Sequence, residues 1–173
     1  MKPDLKFILY LMFVGALVLA CGKKQSEEEL LQQAIKFESE ENWDEAIHAY
    51  EKLVRDYPGS SKADTALQKT AFIYYNNIHD FHKAIDVHST LVGKYPNSKF
   101  VAQASFMIGF IYANDLKDYD KAKEAYNNFL EKHPDNDLVE SVKWELKHLG
   151  KDVNEQVINL FENDSANGDS KSN

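Results

Sequence analysis

One thiol, six imidazoles and a recurring set of amides beside aromatic rings are the groups in this 173-residue chain able to carry chemistry. The thiol is Cys21, the only cysteine, so no intramolecular disulfide is possible. A lone thiol can be a nucleophile, a metal ligand or an acylation point, and its surroundings decide. Lys2 and Lys6 form a short basic start, and Phe7–Ala20 follows as fourteen residues without charge or proline. Fourteen apolar residues are too few to span a bilayer comfortably but match the core of a signal peptide ending at a small residue. The imidazoles offer less. His79, His82 and His88 lie close in sequence, but no helical i, i+4 pair or nearby cysteine supports them as ligands. They read as a chance cluster, so neither a metal nor any other cofactor is expected. The chain also lacks a glycine-rich phosphate loop, a G-x-S-x-G elbow and an H-E-x-x-H pair. No catalytic residue is assigned, and an enzyme is not expected.

The apolar stretch closes as Leu17-Val18-Leu19-Ala20-Cys21-Gly22 and turns polar at Lys23. This ending resembles the lipobox of bacterial lipoproteins. The resemblance implies that residues 1–20 are a signal peptide and that Cys21 is acylated as the new N-terminus. Several acyl chains on one cysteine anchor stably where one alone does not. Residues 21–29 then form a short tether. The location implied is the bacterial cell envelope, on a membrane and most simply the periplasmic face of the outer membrane.

Formal net charge is −8, and lysine and arginine alternate with acidic residues along the chain. Phosphate binding needs a concentrated basic face, so nucleic acid is excluded as a partner. The charges read as solvated helix faces.

The elements that position everything else are repeated. WDEAIHAYEKLVRDYP (43–58), FHKAIDVHSTLVGKYP (81–96) and YDKAKEAYNNFLEKHP (119–134) each start 38 residues after the last. A fixed period in the 20–50 residue range points to stacked helical pairs. Within the first copy Trp43, Ala46, Ile47, Tyr50, Leu53, Val54 and Tyr57 make one apolar helical stripe. Pro58, Pro96 and Pro134 stop each helix, and Ser60, Ser98 and Asn136 are placed to N-cap the next. Before each phrase stands a small residue one turn from an aromatic: Ala34 and Phe37, Ala71 and Tyr74, Gly109 and Tyr112. A small residue lets two helices approach closely, and Ala46, Ala84 or Ala122 answers it in the second helix. Ser26 and Glu29 form a capping box for the first helix.

These residues resemble the tetratricopeptide repeat family over about Ser26–Gly150. The fold expected is all-α: a tetratricopeptide-like α-solenoid over residues 30–161, with about three helical hairpins and a C-terminal capping helix. In repeats two and three four extra residues appear, mainly in the link after the proline. His88 stands where the other copies hold Tyr50 and Tyr126, so looser packing is expected there. A fourth first helix is read at Asp137–Leu149, with Lys147 in place of the small residue. The frame continues weakly through Asp152, Glu155, Val157, Leu160 and Phe161 as a truncated repeat that caps the solenoid. Residues 162–173 read as a disordered tail.

In this family the first helix of each pair lines a groove for a partner. Carried over position by position, the groove takes Gln68, Phe72, Tyr75 and Asn76 from the second repeat. The third supplies Gln103, Phe106, Phe110 and Asn114, and the fourth Trp144 and His148. Rings bury area at low entropic cost and amides pair with an extended backbone, a suitable surface for peptide. Each ring has the alternative of packing between neighbouring first helices. Asn76 and Asn114, equivalent and not core by pattern, are the sharper candidates. With the lipobox, the repeats are similar to those of BamD- and CpoB-type envelope proteins. That likeness implies a scaffold or adaptor binding a protein or peptide, possible homo-oligomers included. The other reading is a self-associating structural or cell-wall-organising lipoprotein.

Overall fold

A computed structural model describes residues 24–151. Cys21, residues 1–20, the continuation from Asp152 through Phe161 and the tail at 162–173 lie outside the described residues. Among the described residues there are seven helices and no strand: α1 Glu27–Ser39, α2 Trp43–Asp56, α3 Ala63–Ile73, α4 Phe81–Lys94, α5 Val101–Asn114, α6 Tyr119–Lys132 and α7 Val139–His148. Each packs chiefly on its sequence neighbours, the arrangement of a solenoid.

The repeated punctuation has a geometry. The residue before each proline, Tyr57, Tyr95 or His133, leaves the helix at φ near −130°, because a residue preceding proline is pushed out of the α region. Two of these also fasten the stack. Tyr57 donates its hydroxyl to the Gln25 carbonyl at 2.7 Å, and Tyr95 donates to the Pro58 carbonyl at 3.0 Å. Each thus ties the end of a second helix to the chain ahead of that repeat's first helix.

Ser60, Ser98 and Asn136 do not sit at the N-cap position expected. The regular helices begin at Ala63, Val101 and Val139, three residues later. The three side chains instead accept from the N–H two residues on, at 3.0–3.1 Å, in short turns that lead into the helix. α7 is accordingly shorter than the Asp137–Leu149 expected. The capping box at Ser26 is present, with the Glu29 N–H donating to Ser26 Oγ at 3.2 Å and the Ser26 N–H to Glu29 Oε2 at 2.7 Å. Ser26→Ala is expected to lower the unfolding free energy by about 1 kcal/mol. The urea midpoint should fall at constant slope, and an unmoved midpoint would contradict it.

Three corners turn a first helix back onto its second: Glu41, His79 and Lys117 each hold φ of 55–58°. They are 38 residues apart, and each precedes the N-cap of a second helix, Asn42, Asp80 or Asp118. One of the four extra residues per repeat belongs here and not after the proline. Phe37 to Trp43 is six steps, but Tyr74 to Phe81 and Tyr112 to Tyr119 are seven. Repeat two absorbs the extra residue as a π turn, Tyr74–Ile78, continuing α3. Repeat three absorbs it at the end of α5, where the Leu116 N–H reaches five residues back to Ile111.

The core follows the small–large pairing. Ala34, Ala71, Ala46, Ala84 and Ala122 are fully buried, as are Tyr50 and Tyr126. The Tyr50 hydroxyl donates to Glu38 Oε2 at 2.6 Å, and Glu38 Oε1 takes Lys69 of the next repeat at 3.0 Å. Burial, and then that carboxylate, drive the Tyr50 phenol far above its ordinary range. His88, at the equivalent place, is buried too.

Candidate partner-binding face

The first helices α1, α3, α5 and α7 put equivalent positions on one face. One row along it is Leu31, Gln68, Phe106 and Trp144, and the next is Ile35, Phe72, Phe110 and His148. Local structure divides the expected groove residues into two groups.

Tyr75, Phe106 and Phe110 are half-buried and engaged. The Tyr75 ring lies 5.8 Å from Phe81, and Phe106 lies 6.0 Å from Tyr126 and 5.9 Å from Phe110. Burial raises the Tyr75 phenol, with the neighbouring Asp115 carboxylate adding to it. Burial likewise raises the Asp115 carboxyl, opposed by Tyr75, Lys117 and His79. Gln68 is half-buried, and Gln103 is exposed.

Phe72 and Trp144 are different, each 53% exposed, and Ile35 joins them at 43%. Ile35 and Phe72 hold equivalent places on neighbouring first helices, and Trp144 stands in the adjoining row on α7, so large apolar side chains are held in water on one face of three first helices. Ile35 was not among the groove residues expected from sequence. Its signal was its place 37 residues before Phe72, in the one repeat whose turn is a residue shorter.

The repeated asparagines have a local role. Asn76 Nδ2 donates to the Phe72 carbonyl at 3.1 Å and Asn114 Nδ2 to the Phe110 carbonyl at 3.2 Å. His148 Nδ1 meets the Trp144 carbonyl at 2.7 Å, with its ring stacked 4.3 Å from the indole. A carbonyl only accepts, so Nδ1 carries the proton. In all three helices a polar side chain bonds back to the carbonyl four residues before it. The 38-residue recurrence of asparagine therefore has a local explanation, and the exposed apolar side chains bear more of the case for binding.

Two depressions lie beside these exposed side chains. One of about 330 Å³ lies between α1 and α3, lined by Ile35, Glu38, Ser39, Trp43, Phe72 and Asn77. A smaller one of about 120 Å³ lies between α5 and α7 against Asn114, Lys117, Tyr119, Trp144 and His148. No group of three or more histidine, cysteine or acidic side chains able to hold a metal occurs among the described residues. His79 and His82 are exposed and His88 is buried, so the three imidazoles do not share an environment.

The tetratricopeptide repeat family profile matches residues 28–60 and 103–136. Those are α1–α2 and α5–α6 with their links. The stretch between them carries the π turn and His88. Solved structures agree on the fold. The tetratricopeptide domain of Arabidopsis OM64 is 14% identical, with a TM-score of 0.51, over 70% of this chain and 93% of that one. The TPR2B domain of yeast Sti1, in complex with pHsp70, is 16% identical, with a TM-score of 0.52, over 70% and 93%. The first such domain of Spaghetti (RPAP3), bound to the HSP90 peptide SRMEEVD, is 22% identical, with a TM-score of 0.51, over 72% and 90%. No curated protein matches the chain. The chain thus carries tetratricopeptide repeats in an all-α solenoid, the fold of a protein-interaction scaffold.

Proposed function

We propose that this chain is a lipid-anchored scaffold of the bacterial cell envelope that holds a peptide segment of a partner protein across its first-helix face. The observation that carries the binding part is the exposure of Ile35, Phe72 and Trp144 on the first-helix face, beside the two depressions. Two structures of the same fold hold a chaperone or its peptide, which supports peptide as the class of ligand. The anchor rests on the lipobox ending at Cys21. Lys24 already touches the domain, its ammonium 4.5 Å above the Tyr57 ring. Three residues from Cys21 to Lys24 reach at most about 11 Å, so an acylated Cys21 holds the first hairpin against the lipid surface. A role in outer-membrane assembly is the finer reading, and it rests on the likeness of the lipobox and repeats to BamD-type proteins.

A photo-crosslinking residue at Phe72 or Trp144, with exposed Glu131 of α6 as control, tests the face in intact envelopes. Adducts with a partner at 72 and 144 but not at 131 are expected. Phe72→Ala/Trp144→Ala should weaken that partner's binding about tenfold or more, with helicity unchanged because both rings are exposed. Adducts only with further copies of this chain would favour the self-associating reading. Mass spectrometry of the mature N-terminus tests the anchor separately, and a chain retaining residues 1–20 sinks it.

A further inference from the structure

The junction between the second and third hairpins is packed differently from the junction between the first and second. At the earlier one Leu67 is buried in a cluster with Leu91, against which Val54 and Val87 pack. Thirty-eight residues on, Leu67 becomes Ser105 and Val87 becomes Ala125. Thr70 becomes Ile108 and Leu91 becomes Phe129, which thickens the floor without closing the gap. A half-open cavity of about 280 Å³ remains, floored by Val92, Ile108 and Phe129. It lies on the second-helix side, and neither Phe72 nor Trp144 lines it.

The cavity has a shape and a charge. Its α6 wall runs from Lys121 to Lys132, eleven residues or about 16 Å of helix. The trough is half open along that length, with Val92, Ile108, Ala125 and Phe129 as an apolar strip and Ser105, Tyr112 and Asn128 adding polar atoms to its walls. An extended chain covers such a strip better than water does. Three charged residues stand at the rim: Lys121, Glu124 and Lys132. Lys121 is held by Asp118 at 2.7 Å, whereas Lys132 has no carboxylate partner among the described residues. The rim is thus locally positive on a chain of net charge −8, with its available cation at one end of the trough.

We propose that this cavity binds a single-chain amphiphile with an anionic head, such as a medium-length alkyl carboxylate. The chain lies along Val92, Ile108 and Phe129 and the head meets Lys132. Decanoate below its micelle concentration is the probe, titrated into the full chain by calorimetry and followed by amide chemical shifts. One saturable site is expected, with shifts centred on Ser105, Ala125 and Lys132. Ser105→Leu/Ala125→Val restores the side chains of the earlier junction and should raise the Tm while weakening binding at least tenfold. Lys132→Gln alters no packing and should weaken binding about fivefold; it keeps the proposal testable should the double variant misfold. Uncharged decanol should bind more weakly than decanoate. Absence of saturable binding, shifts centred on Phe72 and Trp144, or equal affinity in the filled variant and the parent would each overturn the proposal. A side chain of a docked partner as the true occupant would appear as the first of these.

Discussion

Lowering the pH from 7 to 4 is expected to remove about 3 kcal/mol of folding stability through one side chain, His88. The residue is 3% exposed, and its Nδ1 has no hydrogen-bond partner. Burial alone depresses its pKa from the ordinary 6.5 to about 4. In the unfolded chain the imidazole takes a proton near pH 6.5, whereas in the folded chain it resists until about pH 4. Between those values the unfolded state binds more protons, so stability falls as pH falls and the loss is complete below about 4. Two and a half units at about 1.4 kcal/mol each give about 3.5 kcal/mol in full, of which about 3 is lost between pH 7 and pH 4. Partnered carboxylates act in the same direction at lower pH: Ser60 and Lys62 hold the Glu27 pKa down, and Lys52 holds down that of Asp56. Asp115, raised by burial, acts oppositely. His88→Phe separates the contributions, because it keeps a ring in the site and removes the titration. Urea unfolding at pH 7 and pH 4 should show the variant losing about 3 kcal/mol less than the parent. Equal losses would mean that the imidazole is hydrated or partnered in solution.

The same position shows how far the sequence could be read. The period, the proline stops and the alanine pairings are local signals, each fixed by one or two residues, and all appear in the helices observed. That His88 departs from Tyr50 and Tyr126 is visible in sequence; that it is buried without a partner is not, since burial depends on packing from α3 and α5. The corner residues show the limit from the other side. Glu41, His79 and Lys117 share a left-handed conformation without sharing a residue type, because the corner is imposed by the helices on either side. Likewise the extra residue in repeats two and three is countable in sequence. Whether it becomes a π turn, as at Tyr74–Ile78, or a reach from Leu116 to Ile111 is settled by packing. For the candidate face, the sequence assigns Phe72, Phe106, Phe110 and Trp144 to first helices, where the structure also has them, but it does not tell Phe72 from Phe106. The difference lies in Tyr126, whose ring lies beside Phe106.

Gly109 yields the other large effect, and its origin is steric. A β-carbon built there meets Tyr126 Cδ1 and Cε1 at 2.6 Å each, well inside any real contact. Tyr126 is fully buried, with Phe106 beside its ring, so it cannot swing into solvent to make room. Gly109→Ala gains about 1 kcal/mol of intrinsic helix preference. Overpacking a closed site costs about 1–3 kcal/mol, and contacts of 2.6 Å to an immobile ring place this one toward the upper end, so the net expectation is a loss of about 1–2 kcal/mol. For a chain of this size that is a fall in Tm of roughly 2–8 °C. Gly93→Ala in α4 is the matched control, because nothing lies within 4 Å of an added β-carbon. There only the backbone preference remains, and a gain of about 0.5–1 kcal/mol is expected. A double-mutant cycle fixes the cause: in a Tyr126→Ala background the penalty of Gly109→Ala should vanish and its sign reverse. A penalty that persists without the ring would show that α5 and α6 are held apart by something else. The glycine would then not be the residue that sets how closely the third hairpin closes.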